Sequence, residues 1–303
     1  MEVGQLLSVI GGVLGYFALG MALRVTGLMK AEHAHPLNAL LIYVALPALI
    51  FTTVQKAALD PALGLLPLVG WGVVVIGLAI GWALARLLGL KGPVAGAFML
   101  AAAFGNTGYI GYPLASALLG DAGLVRAIFY DVFGNTAAVI TIGTFIASRY
   151  GEHDEQVDPV REVVTFPPFI ALAAALALRS VTVPIAVGDW LDALGKLVVP
   201  MIMISVGLSL RPSKLKGHLR DVVAVAGIKL LVLPAVALAA GSLVFSSAES
   251  LRVAVIEAGV PTMMLTMVIG MRFKLDTDLI ASAILVTMTG AIVTIPLFQL
   301  LIG

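Results

Sequence analysis

Hydrophobic runs of about 20 residues, separated by thin polar breaks, repeat along this chain from end to end. A bilayer-crossing helix needs roughly 20 mostly apolar residues. That ruler marks ten segments, near 3–23, 37–55, 62–88, 93–119, 122–148, 166–184, 190–210, 221–245, 250–272 and 277–302. The separators at Gly120–Asp121 and Ser246–Glu249 are the thinnest. The longest polar stretch, RYGEHDEQVDPVREV, divides the segments five and five. Two of the ten are interrupted where no water would satisfy an exposed backbone. Within FGNTGYIGYP (104–113), FGNT breaks the fourth at 104–107, and AGVPT breaks the ninth at 258–262.

Composition removes the soluble alternative. Of 303 residues 60% are hydrophobic and 12% charged, and the mean hydropathy is +1.09. The pattern predicts an all-α integral membrane protein. A net charge of +1 offers nothing to a nucleic acid, and without cysteine there are no disulfides, thiol nucleophiles or thiolate metal sites. The first segment has no basic leader and reads as a retained span. Of the 18 lysines and arginines, twelve fall on one side of the ten-span layout and five on the other, with Lys229 inside a span. Positive charge marks the cytoplasmic side. The expected layout therefore puts the 149–165 loop in the cytoplasm and both termini outside a cell membrane. The basic cluster RPSKLKGHLR (211–220) needs no further explanation.

An odd number of spans per half makes residues 1–148 and 166–303 inverted with respect to each other. A faint echo supports a repeat: Pro47 in YVALPALIF and Pro200 in KLVVPMIMI lie 153 positions apart, Gly105 and Pro261 156 apart. Broken segments at matching places of two inverted halves point to a transporter's binding site. Irregular backbone at membrane depth survives only where protein or a water-filled cavity satisfies it. Spans 4 and 9 are thus expected to face each other inside the bundle, with their breaks near the midplane. Half-helix N-termini there suit an anion, and freed carbonyls with Asn106, Thr107 and Thr262 suit a small cation.

At these residues the chain resembles a known family. GNTGYIGYPL, VPMIMISVGLSL (199–210) and EAGVPTMMLTMV (257–268) are similar to motifs of the auxin efflux carrier family, along essentially the whole chain. The resemblance implies two inverted five-helix repeats whose fourth and ninth helices unwind and cross, a fold similar to that of the bile acid:sodium symporters. It also implies a scaffold of helices 1, 2, 6 and 7 beside an elevator-type mobile domain of helices 3–5 and 8–10. Substrate contact then falls on Gly105, Asn106, Thr107, Val260, Pro261 and Thr262. Plant exporters of the family typically have proline where this chain has Gly105. Glu257 precedes the second break much as a sodium-binding glutamate does in the bile acid symporters.

Three ionisable residues lie at depth: Asp131, Lys229 and Glu257. Each costs about 2.5–3.5 kcal/mol or more at the bilayer centre, which makes all three functional candidates. Asp131 and Asn135 are four apart on one helix face. They and Glu257 are the ion-coupling candidates: a sodium ion near Glu257 and Asn106, or a proton on Glu257. Lys229 could hold an anionic substrate or neutralise Asp131 or Glu257. A permanent buried ion pair is the structural alternative for all three. Tyr109 and Tyr112 flank the first break, and Met263, Met264 and Met267 offer adaptable apolar contacts. Gly11–Gly15 matches GxxxG, a candidate homodimer contact.

The expected function is secondary active transport of a small organic anion, a carboxylate, with H⁺ or Na⁺ as coupling ion and no other cofactor. Uniport or export of auxin-like monocarboxylates without ion coupling is the alternative, with a channel or sensor behind it. An intramembrane enzyme is not expected: all four histidines fall in loops, and no HExxH motif or aspartate pair stands at depth.

Overall fold

The computed structural model describes residues 15–152, 158–209 and 218–302. The start of the first span, Gly11 of the Gly11–Gly15 motif and most of the 211–220 cluster lie outside them. The described chain is helical, and its only β-type pairing is one isolated bridge between Gly105 and Thr262. In chain order the helices are α1 (Gly15–Val25), α2 (Ala31–Lys56), α3 (Leu65–Leu87), α4 (Gly92–Ala103), α5 (Thr107–Tyr150), α6 (Pro159–Val164), α7 (Pro167–Ala177), α8 (Ile185–Lys196), α9 (Val198–Ser209), α10 (Leu219–Val244), α11 (Ala248–Gly259), α12 (Leu265–Arg272) and α13 (Thr277–Ile302). Among the described residues, six helical stretches are long and apolar enough to cross a membrane: α2, α3 with its leading turn, α5, α8 with α9, α10 and α13. Helices α1, α4 and α7 are shorter apolar ones.

The expected separator at Gly120–Asp121 does interrupt the helix. Gly120, at φ 64° and ψ −157°, is not helical, and two helical segments of the 44-residue stretch Thr107–Tyr150 meet there at a kink. A side chain there would clash with its own backbone, so glycine permits the kink.

The sixth expected span is shorter than read: α7 stops at Ala177, a turn follows over 178–180, and no helix resumes before Ile185. Arg179 there donates to the Ala57 carbonyl at 2.7 Å. Conversely, the polar loop hides α6. Asp158 Oδ1 caps it, accepting from the N–H groups of Val160 and Arg161, with Pro159 at the first helical position.

Proline shapes the long helices. Wider π-type turns occupy Leu41–Ala45, Thr107–Gly111 and Ile228–Val232. Each is followed two residues later by proline: Pro47, Pro113 and Pro234. A proline ring clashes with the carbonyl four residues back and removes one N–H. Here that carbonyl lies inside the π turn, where the ladder has already slipped by one residue.

The chain divides into two compact units, each drawing on both halves of the sequence. One comprises residues up to Asp60, Tyr112–Ile128 and Val164–Leu210. Within it α1 meets α9 through glycine: a Cβ at Gly20 would run into the Ile204 carbonyl, and one at Gly207 into that of Phe17. Such small-residue contacts let membrane helices approach closely. Ser205 Oγ donates to Asn38 Oδ1 at 2.7 Å, and Lys56 pairs with Asp192 at 2.7 Å. The other unit comprises Pro61–Gly111, Phe129–Val163 and Arg211–Gly303. There Gly70 of α3 and Gly134 of α5 face each other backbone to backbone. Helices α10, α11 and α13 pack together beside α3 and α4.

Candidate functional site

Both interruptions lie in the second unit. Helix α4 stops at Ala103 and Phe104 is extended; α11 stops at Gly259 and Val260 is extended. At each place the helical ladder loses its partners, and buried peptide groups must find others. They find each other. Asn106 N–H donates to the Pro261 carbonyl at 2.8 Å and Met263 N–H to that of Phe104 at 3.0 Å, flanking the Gly105–Thr262 bridge. The chain past each break re-enters a helix, so two helix C-termini and two N-termini meet at one joint.

Side chains satisfy what the joint leaves over. Asn135 serves Gly105 as a peptide would: its Nδ2 donates to the Gly105 carbonyl at 2.8 Å and its Oδ1 accepts from the Gly105 N–H at 3.4 Å. The same Nδ2 reaches Thr107 Oγ1 at 2.9 Å. Thr262 N–H donates to Thr287 Oγ1 at 3.0 Å, and Thr262 Oγ1 donates to the Ala101 carbonyl at 2.8 Å. The hydroxyls of Thr107 and Thr136 both donate to Asp131 Oδ1 at 2.6 Å. Two charge-assisted donors of this length hold a carboxylate firmly.

Lys229 is fully buried in its π turn, and its ammonium donates to the carbonyl of Ala258 at 2.5 Å. A cation there complements the negative, carbonyl end of α11. That bond ties its ammonium to the main chain. Glu257 is equally buried, and neither of its carboxylate oxygens has a hydrogen-bond partner among the described residues. Asn106 Nδ2 is also buried without an acceptor. Such groups are few in native proteins and call for an explanation. Val260 and Pro261 are buried in the joint, and Tyr109 is half-buried beside it, outside the hydrogen-bond network.

Two features of the site went unread in the sequence. Glycines 105, 108 and 111 recur every third residue, and each makes room for one ionisable group. A Cβ at Gly105 would lie 2.9 Å from Lys229 Nζ, one at Gly108 3.2 Å from Asp131 Oδ2, and one at Gly111 would overlap both oxygens of Glu257. Secondly, FGNT occurs twice, at 104–107 and 133–136. Both copies feed the same cluster through Thr107, Asn135 and Thr136. The repeated tetrapeptide would have pointed to Thr136; Thr287 and the Ala258 carbonyl left no comparable mark.

The unit thus holds a joint of broken helices lined by a buried lysine, two buried carboxylates and an idle amide. The model of the membrane transport protein family matches residues 5–299. The chain belongs to that family. This agrees with its resemblance to the auxin efflux carriers. An uncharacterized transporter of Methanocaldococcus jannaschii is 33% identical over 299 residues, covering 94% of each chain. One of Methanothermobacter thermautotrophicus is 32% identical over 293 residues, 96% of each. A Rhizobium meliloti protein named "Putative malonate transporter" is 27% identical over 271 residues, 86% of this chain and 84% of its own. The protein is a membrane transporter and not an enzyme.

Proposed function

We propose that this member of the membrane transport protein family is a secondary carrier for a small organic carboxylate, bound where the two breaks meet. The observation that carries this reading is the buried, unpartnered Asn106 Nδ2 at a joint where two helix N-termini also converge. A donor without an acceptor beside positive half-helix ends suits a carboxylate oxygen. The ten-span layout with inverted five-helix repeats belongs to the same proposal. The 44-residue α5, kinked at Gly120, then supplies two spans, and α4 with the first part of α5 forms the broken span that crosses α11–α12. Alternating access by an elevator movement, a cell-membrane location with both termini outside, and coupling through the buried carboxylates complete it. Half-buried Met264 and Met267 next to the second break favour one variant, an apolar-bodied monocarboxylate moved without coupling.

The test is a thermal-shift screen of purified protein against mono- and dicarboxylates, malonate among them. A ligand that binds only the native state raises the melting temperature by mass action. The expected outcome is stabilisation by one carboxylate class that disappears in Asn106→Ala. Stabilisation that persists in Asn106→Ala would move the substrate away from the joint.

A further inference from the structure

A carrier with broken helices builds a sodium site from unwound carbonyls and half-helix C-termini. In this protein several of those oxygens already accept hydrogen bonds. The carbonyl of Phe104 accepts from Met263 N–H, that of Asn106 from Ile110 and Gly111, and that of Pro261 from Asn106. The Gly105 carbonyl accepts from Asn135, and the hydroxyls of Thr107 and Thr262 are turned to Asp131 and Ala101. Above all, the Ala258 carbonyl at the negative end of α11 holds the Lys229 ammonium. A resident cation stands where sodium would be drawn. Among the described residues no three acidic or histidine side chains gather into a metal-holding group. With the Lys229 ammonium already at the negative end of α11, the arrangement favours a second cation that needs no set of carbonyl ligands over the sodium ion that the Glu257 position suggested.

The charge balance still asks for one cation. Asp131, held by two hydroxyls, and Lys229 cancel, which leaves Glu257 as a buried carboxylate with no donor. We propose that the cation is a proton, and that Glu257 is the residue that binds it. A proton needs no coordination sphere. It adds to one carboxylate oxygen to give a neutral carboxyl, and leaves as H⁺ to water when the site opens, with no other bond made or broken. The elements packed on α11 frame this group. Lys229 comes from the turn 228–232, Asp131 and Tyr130 from α5, and Tyr109 from the turn 107–111. Helix α3 carries only Arg86 at its end and α13 only Asp278 in its first turn. The stretch of α10 after Val232 is uncharged.

This inference rests on the carrier reading for its purpose, but its test does not need the substrate. Infrared spectra of the purified full-length protein are recorded near neutral pH, with sodium or choline as the only monovalent cation. A protonated-carboxyl band is expected in the wild type, identical in both salts and lost in Glu257→Gln. In Glu257→Asp, which keeps a carboxyl, the band is expected to remain at a displaced frequency. The proposal is overturned if the band is absent, if it survives in Glu257→Gln, or if sodium abolishes it. It is overturned equally if sodium, against choline, raises the melting temperature of the wild type but not of Glu257→Gln. The carrier reading fails on a different result, a carboxylate screen in which no compound stabilises the protein.

Discussion

Replacing Gly111 by alanine places one methyl group on top of the Glu257 carboxylate, because a Cβ at that position overlaps both of its oxygens. Two opposite effects meet there. Removing a glycine from a helical turn ordinarily stabilises by roughly 0.5–1 kcal/mol, since the unfolded chain loses freedom. Overpacking a well-filled interior costs about 1–3 kcal/mol. Gly72 of α3 isolates the first effect, since nothing lies within 4 Å of a Cβ built on it. The first effect is common to both variants, so the separation between Gly111→Ala and Gly72→Ala is the overpacking cost alone, about 1–3 kcal/mol. A melting temperature moves by roughly 2–4 °C per kcal/mol in domains of 150–250 residues, and less in longer ones. The two variants should melt about 2–6 °C apart, with Gly72→Ala at or above the wild type. A double-mutant cycle then assigns the cost. In a Glu257→Ala background the carboxylate is gone, and Gly111→Ala should lose at least about 1 kcal/mol of its penalty, since touching residues couple. Additive effects, or equal melting of the two glycine variants, would refute the assignment of this glycine to that carboxylate.

Other perturbations read the rest of the joint. Asn135→Leu leaves the Gly105 carbonyl and N–H without their partner, at about 1–3 kcal/mol for each buried group; amide hydrogen exchange at Gly105 should rise with the loss of melting temperature. Thr287→Val orphans the N–H of Thr262 and should cost about 1–3 kcal/mol. By contrast, Asp192→Asn breaks the part-exposed ion pair with Lys56 and should cost under about 1 kcal/mol, shrinking further in high salt.

The places where the sequence could be read and where it could not divide along physical lines. Helices α2, α3, α10 and α13 follow from apolar length alone, and the two breaks follow from Gly105, Asn106 and Pro261 standing in otherwise uniform apolar runs. Those signals are local. The partner of Lys229 is a main-chain oxygen on another helix, and a carbonyl has no residue identity to recognise. The spacing of Gly105, Gly108 and Gly111 was visible, but its cause lies in side chains 23, 146 and 124 positions away, in the order Asp131, Glu257 and Lys229. Length misled at one point, where the sixth apolar run reaches Pro184 but α7 ends at Ala177; the kink at Gly120 falls where the apolar run thins to Gly120–Asp121.

The joint itself is knotted by main-chain groups, with Asn106 N–H on Pro261 and Met263 N–H on Phe104. A link of that kind does not depend on which side chains its members carry. The side chains that line the crossing can therefore be exchanged without unmaking the link between the two breaks, so the frame of the joint and the chemistry of its lining are set by separate parts of the chain.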